Sequence, residues 1–129
     1  EKGLTLELAI EKEVNLSGDA DKLERVFDNL LRNAVNYSYP NTVIHLSMEQ
    51  RKEEHRVLLR VQNHGRTIAK EKLEHIFEQF FRVDASRSSA TGGSGLGLAI
   101  ARQIVEMHHG QIRAESADEM IVFEVELPI

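Results

Sequence analysis

Asn29, Asn33 and Asn36 recur at i, i+4 and i+7 in the stretch "DKLERVFDNLLRNAVNYS" (21–38), so a helix there carries all three carboxamides on one face. Asparagine is a poor helix former because its side chain competes for backbone hydrogen bonds. Three on one stripe is a cost that a purely structural helix does not need. A carboxamide oxygen is a hard, neutral donor of the kind Mg²⁺ takes alongside waters and phosphate oxygens. Taken singly, each asparagine reads better as part of a solvated helix edge.

A second stretch, "TGGSGLGLAI" (91–100), sets Gly93, Gly95 and Gly97 directly before an apolar helical pattern. A helix N-terminus has unpaired N–H groups and a partial positive charge, and glycines let a phosphate approach the backbone closely. No Lys-Ser/Thr follows, so this is not a Walker loop. The G-x-G-x-G spacing after a polar loop is not the dinucleotide fingerprint either. Alone, such glycines read equally as a hinge. Together the two stretches could hold a divalent cation and a polyphosphate.

The remaining composition narrows the classes. The 129 residues suit one domain, and a net charge of −5 argues against a nucleic-acid-coating surface. With no cysteine, disulfides and thiolate metal sites are excluded. No run of 18 apolar residues exists, and the N-terminus lacks the pattern of a signal peptide. The chain starts without Met and reads as a piece of something longer. Of the six histidines, none sits in a metal-ligand spacing with a third partner. His75 reads as a partly exposed structural residue, and "MHHG" (107–110) as a helix end where a cation suits the dipole.

The elements that must position these residues follow from periodicity. "LTLELAIEKEV" (4–14) alternates as a strand, and Leu23, Val26, Phe27, Leu30, Leu31 and Ala34 recur at helical spacing over 21–37. "SYPN" (38–41) stops that helix. "TVIHLSMEQ" and "RVLLRVQN" predict a hairpin around "RKEE". A short helix is predicted over 69–81 and a polar loop over 82–95. The next helix carries Leu96, Ile100, Ile104 and Met107 on one face and is closed by Gly110. "QIRAES" and "MIVFEVELP" add two strands. The expected class is α+β: a two-layer α/β sandwich, with a mixed five-stranded sheet and about three helices on one face.

At this point four segments in order resemble one family. "DKLERVFDNLLRNAVNYS" is similar to the N box of the ATP-binding domain of sensor histidine kinases, in the Bergerat-fold superfamily shared with Hsp90, gyrase B and MutL. "VQNHGRTI" (61–68) resembles the first glycine box, "FEQFFR" (77–82) the F box, and "GGSGLGLAIARQIVEMHHGQI" (92–112) the second glycine box. "NAVNYS", "SSATGGSGLGLAIA" and "IRAES" resemble the vancomycin-resistance sensor kinases in particular.

The resemblance implies a catalytic and ATP-binding domain over 1–129, with ATP and Mg²⁺ as cofactors. Asn33 matches the Mg²⁺ ligand, and Asn29 stands where hydrolysing relatives carry a Glu that activates water. An amide cannot take that proton, which leaves the γ-phosphoryl group for another nucleophile. Tyr37 falls at a position that faces the nucleotide. Arg82 matches an Arg that reaches the phosphates in transfer. Phe77, Phe80 and Phe81 anchor the root of a lid over 82–92, while Gly93, Ser94, Gly95, Leu96, Gly97 and Leu98 cradle the phosphates. Asn63, Gly65, Thr67 and Ile68 fall in the adenine-reading box. Departures are Asn63 for the family's Asp, Thr67 for its second Gly, Asn36 for a Lys and Ile121 for a Thr; a moderate or weak ATP affinity is expected from them.

The acceptor histidine is expected on a dimerisation domain outside this chain, with a response-regulator aspartate next in the relay. The same resemblance implies a cytoplasmic domain of a membrane-anchored, homodimeric parent, itself monomeric when isolated. A serine kinase of anti-sigma-factor type and a nucleotide-free interaction module are the rival readings.

Overall fold

The computed structural model describes residues 3–10, 18–79 and 97–128. Five strands form one sheet in the order β1-β2-β3-β5-β4: β1 Thr5–Ile10, β2 Val43–Arg51, β3 Arg56–His64, β4 Gln111–Ala117 and β5 Met120–Pro128. β1 runs parallel to β2 and every other pairing is antiparallel, which makes the sheet mixed. Among the described residues three α-helices accompany it: α1 Ala20–Tyr37, α2 Lys70–Leu73 and α3 Gly97–Met107.

α1 starts where its sequence supplies a cap. Asp19 is extended, and its carboxylate accepts the Lys22 amide at 3.2 Å. Leu23, Val26, Leu30 and Ala34 form its buried stripe, with Phe27 and Leu31 packed alongside. The helix stops at Ser38, which turns to extended backbone and donates its hydroxyl to the Ala34 carbonyl.

β5 shows how one sheet serves two environments. Ile121, Phe123, Val125 and Leu127 are buried under the helices, while Val122, Glu124 and Glu126 point to the other face. Across that outer face, Arg60 of β3 donates to Glu124 through Nε at 3.0 Å, and Arg113 of β4 does so at 2.7 Å. Burial alone would push the Glu124 carboxyl up; the bonds and charges of the two guanidiniums outweigh it and hold the group below its ordinary value. Between β4 and β5, Asp118 and Glu119 both take positive φ (51° and 60°), the backbone of a tight two-residue hairpin.

The structure corrects four expectations. The helix predicted over 69–81 ends at Leu73. From there the backbone bonds run three residues back, as in His75 to Lys72 at 3.1 Å and Glu78 to His75 at 2.9 Å. This tighter coil lets Ile76 bury completely and sets the Phe77 ring edge-on to Phe123 at 6.2 Å. α3 is rotated from the expected stripe: Leu98, Ala101, Ile104 and Val105 are buried, and Met107 is 56% exposed. With apolar residues on more than one side, its periodicity did not pick a face. The residue that closes α3 is His109, in the left-handed conformation at φ 62°. Gly110 follows it and bonds back to the Val105 carbonyl at 2.9 Å, where a side chain would run into Leu127.

The fourth correction concerns the cation expected at that helix end. His108 accepts the Asp19 amide on Nε2 at 3.1 Å and pairs Nδ1 with the Ile104 carbonyl at 2.9 Å. Only the neutral ring has an acceptor to offer Asp19. His108 therefore ties the end of α3 to the start of α1. His75, by contrast, is exposed and pairs with Glu78 three residues on, whose hydrogen bond and charge raise its pKa. The strand predicted over 4–14 is described only as far as Ile10.

Candidate functional site

Asn29 and Asn33 lie half-buried on the face of α1 that meets the start of α3. The Asn33 amide nitrogen donates to the Asn29 carbonyl at 3.1 Å, one turn back. With that nitrogen committed to the backbone, the polar atom Asn33 has left for a ligand is its oxygen, the donor type a magnesium ion takes. Gly97, the first residue of α3, sits so close to Asn29 that a Cβ there would lie 3.4 Å from the carboxamide oxygen. The asparagine stripe and the positive end of α3 thus adjoin. Among the described residues no group of three His, Cys, Asp or Glu could hold a metal. A cation here would need oxygens brought by a ligand, which suits Mg²⁺ bridged to phosphates.

The other end of α1 is built differently. Asn63, near the end of β3, is only 1% exposed, and its side-chain nitrogen has no hydrogen-bond partner among the described residues. An unpaired buried donor costs about 1–3 kcal/mol, so the position favours a ligand that can accept from it. Gly65 beside it admits no side chain: a Cβ would strike the Tyr37 carbonyl and come within 3.2 Å of that same nitrogen. An isolated bridge between Ser38 and Gly65 fixes this approach. Eight residues of α1, about 12 Å at helical rise, separate Asn29 from Tyr37. The arrangement has a polarity, with a helix N-terminus beside carboxamides at one end and a buried amide at the other.

The expected 63–68 box is held by the β4–β5 hairpin. Gly65 donates to the Glu119 carbonyl at 3.0 Å, Thr67 accepts the Glu119 amide on its hydroxyl at 2.8 Å, and Ile68 donates to the Ser116 hydroxyl at 2.9 Å. The Thr67 hydroxyl is therefore engaged with the turn. Ser116 was not singled out from the sequence, although it lies in the "IRAES" segment; a lone serine in a strand gives no signal of such a bond. Ile68 and Leu98 are buried in the core, which leaves their backbone rather than their side chains to meet a ligand. Asn36 and Tyr37 are half-buried at the C-terminal end of α1. Ile121 pairs with Asn63 across the β3–β5 ladder and is 1% exposed, so no hydroxyl supplements the amide there. Arg82, Gly93, Ser94, Gly95, Leu96, Phe80, Phe81 and the lid expected over 82–92 lie outside the described residues.

Comparison with known proteins bears on the family and the fold. The model of the histidine kinase-, DNA gyrase B- and HSP90-like ATPase family matches residues 18–129. The chain is 46% identical to the sensor protein VanSC of Enterococcus gallinarum over 128 residues, 99% of this chain and 35% of that protein. It thus spans about a third of the length of that curated relative. Among solved structures, the mycobacterial sensor histidine kinase MprB superposes with a TM-score of 0.87 at 30% identity, over 98% of this chain and 84% of that one. The histidine kinase ThkA in complex with the response regulator protein TrrA gives 0.78 at 27% identity, over 98% of this chain and 34% of that one. The expected likeness to the vancomycin-resistance sensor kinases holds, and so does the expected fold. With the family model matched along nearly its whole length, this chain belongs to the histidine kinase-, DNA gyrase B- and HSP90-like ATPase family.

Proposed function

We propose that this chain binds Mg·ATP between the asparagine face of α1 and the start of α3 and presents the γ-phosphoryl group to a histidine on a dimerisation domain outside it. From there the phosphoryl group passes to an aspartate of a response regulator. The observation that carries this reading is the contact of Gly97 with Asn29. It sets a helix N-terminus, which attracts anions, beside the Asn29 carboxamide, one helical turn from the Asn33 oxygen proposed for magnesium. Asn33 would hold the metal, and the metal would neutralise charge on the phosphates during transfer. Asn29 orients without abstracting a proton, which fits a kinase better than an ATPase. Arg82 would steady the charge that builds in transfer.

The orphaned Asn63 amide supports a site that takes a ligand, and it weighs against the rival of a module that keeps the fold but not the nucleotide. In the parent protein the domain is proposed to face the cytoplasm from a membrane-anchored homodimer. Among the described residues no helix is long and apolar enough to cross a membrane.

The test is a thermal-shift titration with and without magnesium. Nucleotide at a hundred times its dissociation constant adds about 2.7 kcal/mol of stability. A rise in Tm with Mg·ATP, lost on adding a chelator, is the expected result. No shift at millimolar Mg·ATP overturns the reading.

A further inference from the structure

Base choice is decided, on the nucleotide reading of the cleft, at the end of α1 farthest from the α3 N-terminus. On the reading above, the phosphates lie at the Asn29–Gly97 end, so the base falls at Asn63. A carboxylate at such a position holds acceptors only; it would welcome a 6-amino group on a purine and repel a 6-oxo group. A carboxamide holds one acceptor and one donor on the same plane, and a half-turn about its last torsion exchanges them.

In most buried asparagines, protein hydrogen bonds fix that half-turn. Here they do not. Among the described residues the Asn63 nitrogen has no partner, its neighbour Gly65 has no side chain, and Ile121 across the ladder is apolar. Turning the amide breaks no bond on its donor side. Adenine offers a donor at its 6-amino group and an acceptor at N1, while guanine and hypoxanthine offer an acceptor at the 6-oxo group and a donor at N1. Each pairs with one of the two settings.

We propose that Asn63 makes the base subsite tolerant of both 6-amino and 6-oxo purines, so that this chain binds GTP and ITP as well as ATP. The inference rests on the nucleotide reading of the cleft and adds to it the determinant of base choice. Hypoxanthine shares guanine's N1 and 6-oxo edge but lacks the 2-amino group, so ITP separates the amide's choice from crowding at position 2.

The experiment is an equilibrium titration of the chain with Mg·ATP, Mg·GTP and Mg·ITP, followed by intrinsic fluorescence or calorimetry. ITP is expected to bind within about tenfold of ATP, with GTP in the same range or weakened only by its 2-amino group. N63D fixes an acceptor-only edge and is expected to raise the preference for ATP over ITP to a hundredfold or more, as sites built around one hydrogen-bonding pattern do. If N63D does not fold, the parent chain's own ATP-to-ITP ratio decides. ATP binding with ITP weaker by more than about tenfold overturns the proposal while leaving the nucleotide site standing. If none of the three binds, the reading of the cleft fails and takes this inference with it.

Discussion

Two asparagines with opposite environments carry most of the chemistry. Asn33 has its nitrogen bonded to the helix backbone, so its one remaining polar atom is an oxygen. Removing it should cost the metal and leave the fold. Asn33→Ala is expected to bind nucleotide with the same affinity in the presence and absence of magnesium, where the parent binds more tightly with the ion. Parent-like Mg²⁺ dependence in that variant would place the metal elsewhere. Gly65 permits the opposite kind of test, because the atom it lacks would overlap the Tyr37 carbonyl. Backbone must shift to admit a methyl group, and overpacking of this kind costs about 1–3 kcal/mol. Gly65→Ala should lower the midpoint of chemical denaturation by that amount and weaken nucleotide binding as Asn63 is displaced.

At the level of elements, the sheet depends on its outer face as well as its core. Glu124 of β5 receives Arg60 and Arg113 from the strands on either side, and its side chain is only 14% exposed. Hydrogen bonds between charged groups contribute about 1.5–3 kcal/mol, less where solvent screens them, so Glu124→Gln should cost about 1–2 kcal/mol at neutral pH. The sign with pH follows from the lowered folded value. The carboxylate's contribution is complete above the unfolded value of about 4.3 and is lost as pH falls through the lower folded one. Urea denaturation should show the gap between parent and variant closing in that acid window; a gap that stayed constant with pH would deny the charge its role. Alternation along β5 made this outer face readable from sequence, as the helical stripe made α1 readable. What stayed hidden were features set by tertiary contact. The α3 face was ambiguous because Ile100 and Met107 are as apolar as Leu98 and Val105. The end of α2 was hidden because the burial of Ile76 and Phe77 outweighed the helical pattern of 69–81. The His108–Asp19 bond joins residues 89 positions apart, and no local spacing announces it. The asparagine stripe and the glycine stretch were legible, while the unpaired nitrogen of Asn63 needed coordinates.

Across the whole molecule, the described histidines stand away from the proposed site, two of them with the sheet in between. His45 and His64 stand on the outer face, their rings 6.4 Å apart, with the sheet between them and the helices. His108 and His109 lie at the C-terminal end of α3, an 11-residue helix and so about 16 Å long, opposite the end that begins with Gly97. His55 occupies the β2–β3 turn at φ 55°, and His75 the exposed coil after α2, where it pairs with Glu78. Phosphoryl transfer needs the attacking nitrogen in line with the γ-phosphorus at near contact, so a misplacement of a few ångströms forfeits the rate gained from positioning. None of these six is carried on a long helix beside the asparagine face. The chain alone, incubated with Mg·[γ-³²P]ATP, is therefore expected to acquire no acid-labile label. Addition of a purified helical hairpin bearing the kinase's acceptor histidine should produce label on the hairpin that survives base and is lost in acid. Acid-stable label on a partner would mark a serine kinase instead, and acid-labile label on the chain by itself would show that one of its own histidines reaches the site.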